Sequence, residues 1–428
     1  MSKYNFEKNN LLNEFYYTTK LPNGLNIVIY PKKGFDGLRI SASVKFGKCH
    51  SEVWINDSKE LFRIPAGTAH FLEHMIFYDD LGNSYMKKIS YMNAKTNGYT
   101  CFDHTVYSVE TCEKEFSEIL KCFLDMIFNF GFTEQNLQSE RTVIQQEKSE
   151  DNDSMSEVMY ASFENAYESD GVKDCFGNVY EVSKDILVKC YNLFYHPQNM
   201  FITAIGDFDI EKFMSILEEF FDNKVFPEFK SIQFIQPKTP INMKTRNIID
   251  DTKLNIQACI ILRMPTSKLY EKCKNKIHIQ LVIEFLCSYL FDELGGVVRS
   301  SFSNSNLIFY NNFEMNDNFA YLAIAFECEN WNYTKILSKI LETIKKVAKN
   351  GISDKDFFSI KKGIYACALS DFDSYYDLSE TIIESYYYGF TFEEYLKELI
   401  SFSVEDFAST LDEILKNGKI LQTVVSSE

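Results

Sequence analysis

Two histidines and a glutamate share one five-residue stretch in Thr68-Ala69-His70-Phe71-Leu72-Glu73-His74-Met75. On a helix, His70 and His74 are i and i+4, so both imidazoles project from one face about one turn apart. That is the placement two ligands of a single zinc ion need. Glu73 lies round the same side from His70, while Leu72 and Ile76 turn away toward a core. Two neutral imidazoles and one carboxylate hold Zn²⁺ and leave its fourth position to water; the ion acidifies that water and polarises a carbonyl. A carboxylate beside the water takes its proton and passes it to a leaving amine, and Glu73 is placed for that task. The order His-x-x-Glu-His is the inverzincin signature. The bland alternative is an amphipathic helix with surface histidines, and a chain with only six histidines makes that a rare coincidence.

The third ligand has to come from elsewhere. A helical pattern from about Thr133 to Glu150 offers Glu140, Glu147 and Glu150, with Asp151 and Asp153 beyond. Glu140 and Glu147, seven apart, share a face, and Glu150 is three beyond Glu147. Spacing leaves the choice open. Asp151 and Asp153 read as a solvated acidic run. The remaining histidines, His50, His104, His196 and His278, are isolated and read as structural or surface residues. Of these His104 lies nearest the strands around Thr96 to Glu110 and is the best placed to touch a peptide. No Gly-rich phosphate loop and no local Ser/His/Asp signature is present.

Elements able to position these groups follow from periodicity and punctuation. Leu21-Pro22-Asn23-Gly24 is a turn signal, Leu25 to Tyr30 an extended run, and Arg39 to Phe46 alternates with period two. The zinc-type helix is expected over about Thr68 to Tyr78, with Gly67 as a flexible entry and Thr68 as its cap. A strand pair follows near Thr96 to Glu110, then helices over about Cys112 to Phe130 and Thr133 to Glu150, and a buried strand at Phe201 to Ile205. This is a mixed α+β pattern. Three of the eight prolines fall at 227, 237 and 240, which suits a linker. Gly131-Phe132-Thr133-Glu134 also lines up with Gly351-Ile352-Ser353-Asp354 at an offset of 220 residues, each a helix stop followed by a capped start. The expected fold is α+β, with two structurally similar α/β-sandwich domains related by internal duplication. The expected division is 1–225 (zinc-binding), 226–245 (linker) and 246–428 (non-catalytic).

Composition sets the outer bounds. The 428 residues, 45% hydrophobic and 25% charged, suffice for more than one core. Lys and Arg total 44 against 61 Asp and Glu, a formal charge of −17, which argues against nucleic acid as a partner. Eleven cysteines without a CxxC pair suit free thiols in a reducing compartment, and no apolar run reaches transmembrane length. A cytoplasmic location is expected.

In order along the chain stand Leu21-Pro22-Asn23-Gly24-Leu25, Ala69 to Met75, Asn93-Ala94 with Asp103-x-Thr105-x-Tyr107, and Glu140-Arg141-x-Val143 with Glu147. Phe194-Tyr195-His196-Pro197-x-Asn199-Met200 and Gly206-Asp207 follow. Through these the chain resembles, over nearly its whole length, the peptidase family of pitrilysin, insulin-degrading enzyme and the mitochondrial processing peptidase β subunit. It looks most like the short bacterial members that work in pairs. The resemblance implies half of a clamshell, one Zn²⁺ per chain, Glu147 as third metal ligand beside His70 and His74, and Glu140 as a second functional acid with Glu73. It places Asn93 and Ala94 on the strand that presents the substrate backbone. It also implies a non-catalytic second half, where Ile360 and Cys367 stand at the positions of Glu140 and Glu147. Active members carry, in the non-catalytic part, an Arg followed seven residues later by a Tyr that bind the substrate carbonyl. Here Arg299 is followed at that spacing by Asn306, and Tyr310 is further on. The expectation is therefore the zinc-bearing subunit of a heterodimer whose homologous partner, rather than a second copy, supplies Arg and Tyr. It would cut short or unfolded peptides in a closed chamber and process a precursor or leader peptide. The alternatives are a non-catalytic structural or peptide-binding subunit, or a metal-dependent hydrolase of non-peptide substrates.

Overall fold

A computed structural model of the chain describes residues 5–9, 13–55, 59–150, 155–167, 176–235, 245–250, 255–264, 266–273, 275–292, 295–302, 307–315, 320–329 and 332–427. The polypeptide forms two compact units. The first comprises Met1–Ser149, Asp174–Ile235 and Asp371–Glu384; the second comprises Glu150–Lys173, Gln236–Ser370 and Ser385–Glu428.

In the first unit the strands are β1 (Asn5–Asn9), β2 (Glu14–Lys20), β3 (Asn26–Pro31), β4 (Leu38–Val44), β5 (Glu52–Ile55), β6 (Glu60–Arg63), β7 (Ala94–Thr100), β8 (Thr105–Thr111), β9 (Met200–Gly206) and β10 (Ile232–Phe234). Seven of them form one sheet in the order β1-β2-β3-β9-β4-β8-β7, in which only β3 and β9 run parallel, and β7 is an edge. The apolar face of β4, through Ile40, Ala42 and Val44, belongs to a core completed by α1 (Thr68–Ile76), α3 (Ser117–Phe128) and the helices Lys184–Phe194 and Ile210–Asp222. Between α1 and α3 lies the short α2 (Tyr85–Ser90). After α3 comes α4 (Glu134–Glu150), which buries only Leu137, Glu140 and Ile144, a narrow stripe at helical spacing. Within the stretch expected as linker, β10 pairs with β5 in a separate three-stranded sheet.

The period-two pattern at Arg39 to Phe46 is a strand as expected, but its polar face is not left to water. Segment Asp371–Glu384 covers it: Ser379 hydrogen-bonds Ser41 and Thr203, each at 3.0 Å, and Arg39 is held between Glu110 and Glu380. A buried guanidinium needs such pairing, because an uncompensated charge away from water is costly.

The second unit repeats this plan. Its strands β11 (Thr245–Ile249), β12 (Ile256–Met264), β13 (Ile308–Met315), β14 (Ala320–Cys328) and β15 (Lys419–Ser426) lie in the order β11-β15-β12-β14-β13, with only β11 and β15 parallel. Substituting β3, β4, β7, β8 and β9 for them gives the identical order and directions. Helix α4 and its counterpart Asp354–Ser370 are both 17 residues long and 220 residues apart. One face of this sheet is covered by α5 (Ser156–Ala166), a segment from the first half of the sequence. Phe163 meets Tyr321 edge-on at 4.9 Å, and Arg246 and Arg263 donate to the α5 carbonyls of Ala161 and Ala166 at 3.1 and 2.9 Å. At Ala166, the last residue of the helix, the Arg263 cation complements the negative end of α5. Each unit is thus a sheet with helices on one face and, on the other, one segment contributed by the opposite half of the chain.

Candidate metal centre

Helix α1 begins where the chain is forced to begin it. Gly67 has φ +79°, a left-handed conformation, and a Cβ at that position would run into the Phe176 carbonyl. Thr68, expected as the cap, is instead the first helical residue, and its hydroxyl donates to the Pro65 carbonyl at 2.6 Å. The helix closes at Ile76 rather than continuing to Tyr78. Phe71, Leu72, Met75 and Ile76 are buried in the core, which turns the opposite face, with His70 and His74, outward.

The two imidazoles converge, with Nε2 of His70 and Nε2 of His74 3.2 Å apart. Oε2 of Glu147, from α4, lies 3.5 Å from the first and 3.4 Å from the second. These residues form the one such group of possible metal donors among the described residues. Ligands about 2.05 Å from a tetrahedral zinc are separated by about 3.3 Å, the edge of the tetrahedron. The three sides of this triangle match that edge, and two nitrogens with one carboxylate oxygen are a donor set zinc accepts. The residues fit the ion.

Behind the triangle Glu140 fixes His74. Its Oε2 lies 2.8 Å from His74 Nδ1, and its Oε1 accepts from the Tyr78 hydroxyl at 2.6 Å. A carboxylate can only accept, so Nδ1 carries a proton, and in the neutral ring that a metal would require the lone pair falls on Nε2, toward His70 and Glu147. Burial alone would raise Glu140, but the hydrogen bonds from His74 and Tyr78 outweigh it and hold the carboxyl below its ordinary value. Burial would likewise lower His74, but the Glu140 hydrogen bond and nearby carboxylates raise it. Burial, reinforced by the His74 charge and by Lys48, drives His70 down to about 3, so its ring is neutral and its lone pair free.

Glu73 stands beside this group in a drier place. It is buried, and burial pushes its carboxyl above the ordinary glutamate range. The Thr100 hydroxyl donates to its Oε2 at 2.8 Å, and the Gly98 backbone passes so close that a Cβ there would sit 3.1 Å from Oε1 and from the Phe77 ring. A glycine inside a strand often marks such an approach.

Of the carboxylates that spacing left open, Glu147 meets both imidazoles, Glu140 meets His74, and Glu150 is exposed at the end of α4. Asp151 and Asp153 lie outside the described residues. Asn93 and Ala94 do not sit at this group. Asn93 ends the turn before β7 and Ala94 opens the strand, preceding Gly98 by about 13 Å of extended chain. Asn93 adopts φ +56°, with its side chain on Glu113 at 2.9 Å, and Ala94 is buried. The part of β7 beside Glu73 is Gly98 to Thr100. His104, read as structural though the best placed of the four to touch a peptide, is buried against Asp103 at 2.7 Å, as a structural residue would be. His50 and His196 have local partners in Gly47 and Gln198, and buried His278 meets Glu398 from far along the chain. Arg299 donates to the Phe291 carbonyl at 3.3 Å; Tyr310 is exposed on β13, and Asn306 lies outside the described residues. Sequence reasoning missed Tyr78, Gly98 and Thr100. For Tyr78 the signal was there, since it continues the four-residue spacing of His70 and His74.

Comparison with known proteins gives the family. A family described as Insulinase (Peptidase family M16) matches residues 63–173, which hold the whole donor set, and Peptidase M16 inactive domain matches residues 181–364. The chain is 29% identical to the zinc protease YmfH of Bacillus subtilis over 291 residues, 64% of this chain and 66% of that one. It is 22% identical to the zinc protease PqqE of Helicobacter pylori over 93% of this chain and 89% of that one. It is also similar to mouse cytochrome b-c1 complex subunit 1, 24% identical over 43% of this chain and 40% of the subunit. The fold matches the crystal structure of an M16-like peptidase from Alicyclobacillus acidocaldarius with TM-score 0.81, at 20% identity and 99% coverage of both chains. With both of its domain types matched in sequence order and its architecture shared, the chain belongs to the M16 peptidase family.

Proposed function

We propose that this chain is a zinc metalloendopeptidase acting on short or unfolded peptides, with His70, His74 and Glu147 as metal ligands and Glu73 as the proton-transferring base. The observation that carries the reading is the triangle of donor atoms, whose sides of 3.2 to 3.5 Å suit one tetrahedral ion. Zinc held there would acidify a water molecule and polarise the scissile carbonyl. The chain's own residues supply the rest. Glu73, kept by burial more basic than a surface glutamate and oriented by Thr100, takes the proton and returns it to the leaving amine. Glu140 holds His74 in the tautomer that leaves Nε2 available. Among the described residues the outer edge of β7 pairs with no strand, so an extended peptide can add to it. Gly98 then lies beside Glu73, on the strand that Ala94 opens.

The heterodimer belongs to the same proposal. A homologous partner would supply the Arg and Tyr that close the site around the substrate carbonyl, the pair forming a chamber that admits only short or unfolded peptides such as a precursor or leader. Free thiols at the ten described cysteines support a cytoplasmic setting. Among the described residues no helix is long and apolar enough to cross a membrane. The likeness to a cytochrome b-c1 subunit favours a second reading, a structural subunit that keeps the fold without hydrolysis. Metal analysis and peptide digestion separate the two. The purified chain should carry about one zinc, lost in His74→Ala and kept in Glu73→Gln. With its partner, wild type should cleave a mixed peptide library and Glu73→Gln should be at least about 100-fold slower. A wild-type chain that takes up no stoichiometric zinc would sink the peptidase.

A further inference from the structure

We infer that Tyr78 is a positioning residue of the metal centre, acting through Glu140 to aim His74. This inference rests on the zinc reading above.

The placement is specific. Tyr78 follows the last turn of α1, four residues beyond His74, and its N–H reaches the Met75 carbonyl at 3.3 Å. It also forms an isolated bridge with Ser84, which anchors its backbone beyond the helix end. The hydroxyl donates to Glu140 Oε1 at 2.6 Å while Oε2 of the same carboxylate faces His74 Nδ1 at 2.8 Å. Both oxygens of Glu140 are thereby engaged, one by a ligand and one by a group that is not a ligand. A carboxylate gripped at one oxygen can rotate about its last bond; gripped at both, its plane is set, and with it the line along which His74 donates. Burial, with the Glu140 carboxylate close by, pushes the phenol up to about 12, so the hydroxyl retains its proton at working pH and donates throughout. Tyr78, Glu140 and His74 are a chain of three residues joined by two hydrogen bonds, ending at the lone pair a cation would use.

The competing explanation is that Tyr78 merely packs at the end of α1. A double-mutant cycle on metal affinity separates the two. Zn²⁺ dissociation constants would be measured by competition with a chromophoric chelator for wild type, Tyr78→Phe, Glu140→Gln and the double variant. The phenylalanine keeps the ring, and melting of each metal-free protein reports whether the fold is intact. Outer-shell partners typically affect metal affinity 10- to 100-fold, so Tyr78→Phe should weaken zinc by about 10-fold. If Tyr78 acts through Glu140, the double variant should bind no more weakly than Glu140→Gln alone. An unchanged constant in Tyr78→Phe, or a further 10-fold loss in the double variant, would overturn the inference while leaving the metal site standing. A wild type that binds no zinc would overturn the metal site itself, a separate and recognisable result.

Discussion

Asp103 and His104 occupy the turn between β7 and β8, both buried and hydrogen-bonded to each other. Burial opposes charge on the imidazole, yet Asp103 and Cys101 outweigh it and hold His104 up to about 10. The other groups facing the pair are Lys45 and neutral His50, which burial keeps down to about 3, and Glu384 from the segment over the sheet. A proton bound more tightly in the fold than in the unfolded chain, whose imidazole titrates at 6.5, stabilises the fold fully below that pH and ever less as pH rises toward 10. The melting temperature of wild type should therefore exceed that of His104→Gln most at about pH 6, with the gap narrowing toward pH 10; a gap constant across that range would refute the ion pair. At this scale legibility divides along a physical line. His70, Glu73 and His74 were readable because their geometry is set within one helix, where sequence spacing is spatial spacing. The choice among Glu140, Glu147 and Glu150 depends on how α4 lies against α1, and three residues of slip on a helix are invisible without that packing. The structural role of His104 was legible, but its burial was not: its partner is adjacent in sequence, while the elements that cover it are distant.

Strand β4 shows what pattern supplies and what it withholds. Alternation over Arg39 to Phe46 specifies a strand with one polar face, and nothing local states what covers that face. The cover arrives from 340 residues downstream, where Arg39 reaches Glu380 at 2.7 Å, and its guanidinium lies 4.5 Å from the centre of the Tyr376 ring. Removing one partner of a buried ion pair typically costs 3–5 kcal/mol. Glu110 and Glu380 keep 29% and 22% of their side-chain surface, so water relieves part of that cost, and Arg39→Met should lose about 3 kcal/mol, at the low end. Urea unfolding measures it; a loss below about 1 kcal/mol would mean that apolar packing alone seats the segment. The helix pair around Gly131 and its echo at Gly351 was legible because caps and stops are local devices. The matching strand order of the two sheets was not, since pairing order is decided by contacts between residues far apart in sequence.

Taken whole, the molecule reaches its two cores by reciprocal loan. Segment Glu150–Lys173 belongs to the second unit and Asp371–Glu384 to the first, and the repeat offset of 220 places these segments at equivalent positions. Residues 1–225 expressed alone would lack the cover over β4, and 246–428 alone would lack α5, so neither should show a cooperative melt. Produced together they should regain it, and a chain nicked between 226 and 245 should still elute as one species on gel filtration. Independent folding of either piece would contradict the exchange. The arrangement also reaches backward in time. A single-copy ancestor of this plan would complete its sheet only by trading a segment with a second copy of itself. Fusion removed the need for symmetry. The two copies now differ where it matters: Ile360 and Cys367 stand in one at the positions that Glu140 and Glu147 hold in the other.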